Sequence, residues 1–136
     1  MPCNYTIEQD GAIVIELWTG SVTADEIITH KERLARDRSV RADAAVLSDC
    51  TRARFAVTPE DISKMSAMDS GPKTDSNIAR YAFLVSDSDY DNAQIFAEQV
   101  NRFGKSVIIF STLDVAATWL GFDAPELSAL LEGIAR

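Results

Sequence analysis

The chain has 136 residues, 46% of them hydrophobic, and a formal net charge of −8, which matches one domain able to bury about two-thirds of its unfolded surface without metal or disulfide staples. The acidic balance opposes phosphate backbones and anionic lipid surfaces, so no nucleic acid partner is expected and proteins or small molecules remain. No apolar stretch approaches the length of a membrane span, Met1-Pro2-Cys3-Asn4 carries no leader signal, and Cys3 and Cys50 read as reduced thiols; a cytoplasmic protein without a cofactor is the expectation.

Tyr5 to Glu8 and Ala12 to Trp18 are rich in β-formers, and Gln9-Asp10-Gly11 between them is a hairpin signal. Thr23-Ala24-Asp25-Glu26 is a capping box, in which Thr23 and Glu26 can each satisfy an orphan amide, and it predicts a helix to about Asp37. Ile27, Lys31 and Leu34 share a stripe of that helix, with Ile28 and Ala35 beside them and His30 at its border. Ala44 to Leu47 is the central strand. Thr58-Pro59-Glu60-Asp61 combines an N-cap, a first-turn proline and two acids, and starts a helix carrying Ile62, Met65 and Met68 that stops before Gly71-Pro72. Asp69 to Asn77 holds no large apolar residue and reads as a surface loop.

Tyr81 to Val85 is a strand, and Ser88 or Asp89 opens a helix ended by Gly104. Val107 to Phe110 is unbroken in its hydrophobicity, which predicts a strand buried on both faces. Thr112 caps a short helix stopped by Gly121, and Asp123-Ala124-Pro125-Glu126 starts a last one with Leu127, Leu130, Leu131 and Ile134 on one side, covering either its own core or a twin subunit. Strands alternating with helices predict an α/β domain spanning 1–136, with right-handed crossovers and an antiparallel edge made by the first hairpin.

This arrangement resembles the SpoIIAA-like family of bacterial proteins, relatives of the STAS domains that include the anti-sigma-factor antagonists. The resemblance rests on an ordered set: Ile13-Val14-Ile15-Glu16-Leu17 through Gly20 to Val22-Thr23, then Val46-Leu47-Ser48-Asp49, Arg80-Tyr81-Ala82, and Val115-Ala116-Ala117-Thr118-Trp119-Leu120. It implies a right-handed β-α superhelix with strands in sequential order, about five of them in a mixed sheet, plus an extra C-terminal helix. It also implies a regulatory or protein-interaction module without enzymatic activity. STAS antagonists carry a phosphate-accepting serine after an aspartate at the tip of the central strand. Here that region reads Asp49-Cys50-Thr51, so cysteine stands in the acceptor's place and only Thr51 can substitute for it.

The candidate binding residues gather around that tip. In open α/β sheets ligands bind beyond the carboxyl ends of strands, which selects Asp49, Cys50 and Thr51 after the central strand and Ser86 and Asp87 after the next. The same acid and hydroxyl can instead stabilise a turn by bonding nearby amides. Arg52, Arg54 and Phe55 offer two guanidinium groups beside an aromatic ring, suited to an anion or a partner's carboxylate, or they balance an acidic surface. Asp87, Asp89 and Asp91 match three positions of a calcium loop with Glu98 at the twelfth, but Asn92 replaces the turn glycine, and the helical period assigns the acids to a helix dipole. No metal site is expected. Asp49, Ser86 and Ser111 also parallel a phospho-receiver, without its acidic pair or a lysine after the last strand.

Cys50 would need a base to act as a nucleophile, and His30, the lone histidine, lies on a different helix. Three readings therefore stand. The first is a protein-binding regulatory module that is also expected to form a homodimer. The second is a carrier of a small apolar or amphipathic ligand near Phe55, Met65, Met68 and Phe83, which requires a continuous, mainly apolar cavity on the order of 300 Å³ or more. The third is an enzyme using Asp49 or Cys50.

Overall fold

The structure is a computed structural model describing residues 2–41, 43–70, 80–101 and 106–136. The predicted hairpin joins β1 (Cys3–Glu8) to β2 (Ile13–Thr23). Its turn runs through positive φ at Gln9, Asp10 and Gly11, and a Cβ on Gly11 would lie 2.2 Å from the Ser39 carbonyl oxygen, so only glycine fits there. Helix α1 (Ala24–Ala35) begins on the capping box, with both Thr23 and Glu26 bonded as expected. Helix α2 (Pro59–Ser70) begins likewise, Thr58 Oγ1 accepting from Asp61 N while Thr58 N donates to the Asp61 carboxylate.

Strands β3 (Ala45–Ala56), β4 (Arg80–Leu84) and β5 (Ser106–Phe110) complete a five-stranded sheet in sequential order β1-β2-β3-β4-β5, antiparallel at β1 and parallel elsewhere. A single turn of 3-10 helix at Asp87–Asp89 leads into α3 (Tyr90–Asn101), and α4 (Leu113–Leu120) and α5 (Ala124–Ala135) close the chain. Most of the expected Asp69 to Asn77 loop, the Gly104 stop and the side chain of Met68 lie outside the described residues.

Alternation along the strands divides the core in two. Val14, Trp18, Val46, Tyr81 and Val107 face one layer made by α1, α2 and α3. Ile13, Ile15, Leu17, Leu47 and Ala82 face the other, made by α4 and α5. Helix α5 thus covers its own core, with Leu127 and Leu131 buried against β2 residues.

Two sequence expectations need correction. Strand β5 is buried on one face only, because it is an edge strand at the margin of what α4 and α5 cover; Val107 is sealed while Ile108 is 39% exposed. The central strand does not end at Leu47. It continues to Ala56, pairing with a β2 that also runs on to Thr23, and this two-stranded ribbon extends past Leu84, where pairing with β4 stops.

Candidate functional site

The Asp49-Cys50-Thr51 triplet sits at a β-bulge inside β3. Register passes from Leu17 opposite Asp49 to Thr19 opposite Arg52, so Cys50 and Thr51 together face Trp18. The bulge displaces the Thr51 amide from the ladder, and Asp49 Oδ1 accepts from it at 2.9 Å and from Thr51 Oγ1 at 2.6 Å. The stabilising role, rather than an open acid at a strand tip, is what the geometry supplies. Asp49 and Cys50 are buried and Thr51 is exposed.

Beyond the bulge, alternation sends Arg52 and Arg54 to one side and Phe55 to the other. Arg52 pairs with Glu132 of α5 at 2.8 Å, Arg54 is exposed, and Phe55 packs edge-on to Trp18 with ring centres 5.9 Å apart. The expected cluster of two arginines and an aromatic therefore does not form. Ser86 lies at the same end of the sheet, two residues past the Leu84 that pairs with Asp49, but its hydroxyl is engaged with Ser88 and Asp89 at the helix start, and Asp87 is exposed.

What the fold brings together instead is one row lower on the sheet. Glu16 pairs with Ser48, and Ser48 with Phe83, so three neighbouring strands present these side chains in line beneath α1. His30, one turn before Leu34 on the inward stripe of α1, meets Glu16 with its Nε2. Its Nδ1 lies 3.1 Å from Arg33 Nη2. A guanidinium can only donate, so Nδ1 accepts and the imidazole proton is on Nε2, given to Glu16. Trp18 Nε1 donates to Ser48 Oγ at 3.0 Å. Burial alone would raise the Glu16 carboxyl, but His30, the Ser48 hydroxyl and nearby Lys31 outweigh it and hold Glu16 below the ordinary glutamate range.

Above this polar floor is a cavity of about 140 Å³, walled by Trp18, Phe55, Met65, Tyr81, Phe83 and Phe96, with Cys50 beside the floor. It is mainly apolar, as a carrier requires, yet well short of the ~300 Å³ set for one, so a ring-sized molecule fits where a drug-sized one does not. The Lys31 ammonium stands 5.4 Å from the ring centres of both Tyr81 and Phe96 at its border.

The thiol brought to His30 is that of Cys3, with Sγ 3.7 Å from Nε2. Burial raises both thiols above the ordinary range, so neither Cys3 nor Cys50 is a thiolate at neutral pH. Among the described residues Cys3, Glu16 and His30 are the one group whose donor atoms, all within 4.8 Å of one another, could hold a metal ion. A metal on Nε2 would force the proton onto Nδ1, against the Arg33 guanidinium, so the trio is built as a hydrogen-bonded set. Glu16, Ser48 and His30 escaped the sequence reading as site residues. The available signal was an acid inside the apolar run Ile13 to Trp18 and a histidine bordering an apolar stripe.

No family model and no curated protein sequence matches this chain. Among solved structures it is similar to an uncharacterized protein of the DUF3478 family with a SpoIIAA-like fold from Shewanella loihica PV-4. The two share 13% sequence identity over 87% of this chain and 93% of that one, with a TM-score of 0.54. The fold is SpoIIAA-like, as the ordered strand and helix motifs implied.

Proposed function

We propose that this SpoIIAA-like domain is a non-enzymatic binding module that takes up a small, largely apolar molecule between its sheet and helices α1, α2 and α3. The carrying observation is the cavity of about 140 Å³ with aromatic walls over a paired polar floor. An apolar cavity of about 150 Å³ in another protein stays dry and binds benzene, so this volume suits a single ring. Support for binding over catalysis comes from the state of the reactive groups. Both thiols are protonated and both nitrogens of His30 are engaged.

The test is thermal unfolding of the full chain with toluene or phenol, together with a Met65→Trp variant that fills the cavity. Ligand is expected to raise the melting temperature of the parent, since anything binding only the folded state stabilises it, and to leave Met65→Trp unmoved. No shift in the parent at millimolar ligand would overturn the proposal.

The SpoIIAA-like fold and Thr51 favour a second reading, a regulatory module that contacts a partner protein or another copy of itself. Thr51 carries an exposed hydroxyl at the β3 bulge. A phosphate there would set a dianion against Asp49 and uncouple the bonds that hold the bulge. Intact-mass analysis of protein from its own cells is expected to show a phosphate adduct mapping to Thr51; an unmodified monomer would remove this reading.

A further inference from the structure

The chemistry of the cavity floor selects among ring-sized molecules, an inference that rests on the binding reading above. Each N–H hydrogen on the floor is already given away. Trp18 Nε1–H goes to Ser48 Oγ, and His30 Nε2–H goes to Glu16. Ser48 accepts from Trp18 on a lone pair and holds Glu16, its register neighbour, in the ionised form, and its Oγ also lies 3.7 Å from the Cys50 thiol. Acceptor capacity is what is left over. A carboxylate has about four lone-pair positions, and the bonds from His30 and Ser48 use only part of them.

Other charge types are disfavoured by their surroundings. A carboxylate ligand seated on the floor would meet the ionised Glu16, which is buried, while the Lys31 ammonium that could offset the repulsion stands at the border over Tyr81 and Phe96. A cationic ligand would be drawn to Glu16, but it would bring a second positive charge beside the Lys31 ammonium and give up its hydration among apolar walls.

We infer that the cavity binds neutral, ring-sized molecules carrying one O–H or N–H donor, of the phenol and indole kind, with the ring against Phe55, Phe83 and Phe96 and the donor on Glu16. The acceptor-only floor excludes acids and penalises molecules that can only accept, because an unmet buried acceptor on the ligand loses its water without a replacement bond.

The experiment is calorimetric titration of the full chain with phenol, toluene, benzaldehyde and benzoate. Phenol is expected to bind at least about tenfold more tightly than toluene, as a hydrogen bond to a charged group contributes about 1.5–3 kcal/mol and tenfold corresponds to about 1.4 kcal/mol. Benzaldehyde is expected to be weaker than phenol, and benzoate not to bind. Toluene equal to phenol would overturn the donor preference while leaving the cavity reading standing, whereas silence from all four would overturn both. Ser48→Ala leaves Trp18 Nε1–H unmet and gives the floor a donor, so it is expected to move the preference from phenol toward benzaldehyde. Glu16→Gln, with its fold checked by circular dichroism, supplies the second variant and is expected to lower the phenol-to-toluene ratio. An unchanged ratio in whichever variant folds sinks the assignment.

Discussion

Asp49 carries two bonds from Thr51, one from the amide that the β3 bulge removes from the ladder and one from the hydroxyl. Thr51 is exposed and water can take up the donors that lose Asp49, so removing the acceptor costs about 1 kcal/mol, the net value of an ordinary intramolecular bond. Asp49→Ala is therefore expected to lower the unfolding free energy measured in urea by that amount, with Asp49→Asn, which keeps one acceptor oxygen, losing less; equal stability of Asp49→Ala and the parent would contradict the role. The identities in Asp49-Cys50-Thr51 were plain in the sequence, and so was the option that they hold a turn. Which option applies depended on the bulge, set by the pairing of Trp18 with two residues of β3. The Glu16 and His30 pair was less visible still. They stand on β2 and α1, and only the face each element turns inward makes them partners.

Helix α5 illustrates a different balance at the level of elements. Its N-cap Asp123, the proline in its first turn and its leucine spacing were readable, but its occupant was open between the chain's own core and a second subunit. Packing on Ile13, Ile15 and Leu17 decides for the chain itself. Leu127→Ala opens a cavity in that layer and is expected to cost about 2–5 kcal/mol in chemical denaturation, while leaving ligand binding on the opposite face of the sheet intact. The extension of β3 was harder to foresee. Asp49 to Arg52 reads as a polar exit from a strand, although Arg52 and Arg54 alternating with Ala53 and Phe55 is a period-two pattern that a pairing partner can use. That partner is the tail of β2, Thr19 to Thr23, whose strand character shows only once the two run side by side.

For the whole molecule, buried ionisable groups set the limits of stability with pH. Glu16 titrates lower in the folded protein than in the unfolded chain, so its contribution is complete above about pH 4.3, the ordinary glutamate value, and is lost as pH falls through the folded value. The two thiols act in the other direction. Raised by burial, they favour the folded state fully below about pH 8.5, the free thiol value, and that advantage declines as pH climbs beyond it. Asp37 and Asp61 are also lowered, by backbone and side-chain hydrogen bonds near the surface, where solvent screens their effect. Denaturation across pH is expected to show a plateau flanked by acidic and alkaline declines. Glu16→Gln should flatten the acidic limb and Cys50→Ala reduce the alkaline one, with Cys3 and Tyr5, also raised, keeping the rest; an acidic limb unchanged by Glu16→Gln would show that Glu16 does not carry it.

By itself the amino-acid order determined the succession of strands and helices, the Gly11 hairpin, the caps at Thr23, Thr58 and Asp123 and the SpoIIAA-like plan, because each depends on residues a few positions apart whose preferences are local. The tertiary structure alone decided that β3 bulges instead of turning, that Arg52 and Phe55 part company, and that Glu16, His30, Ser48 and Trp18 form the floor of one cavity. Those outcomes follow from register between strands and the angle at which helices lie on them, energies that exist only when distant parts of the chain are in contact.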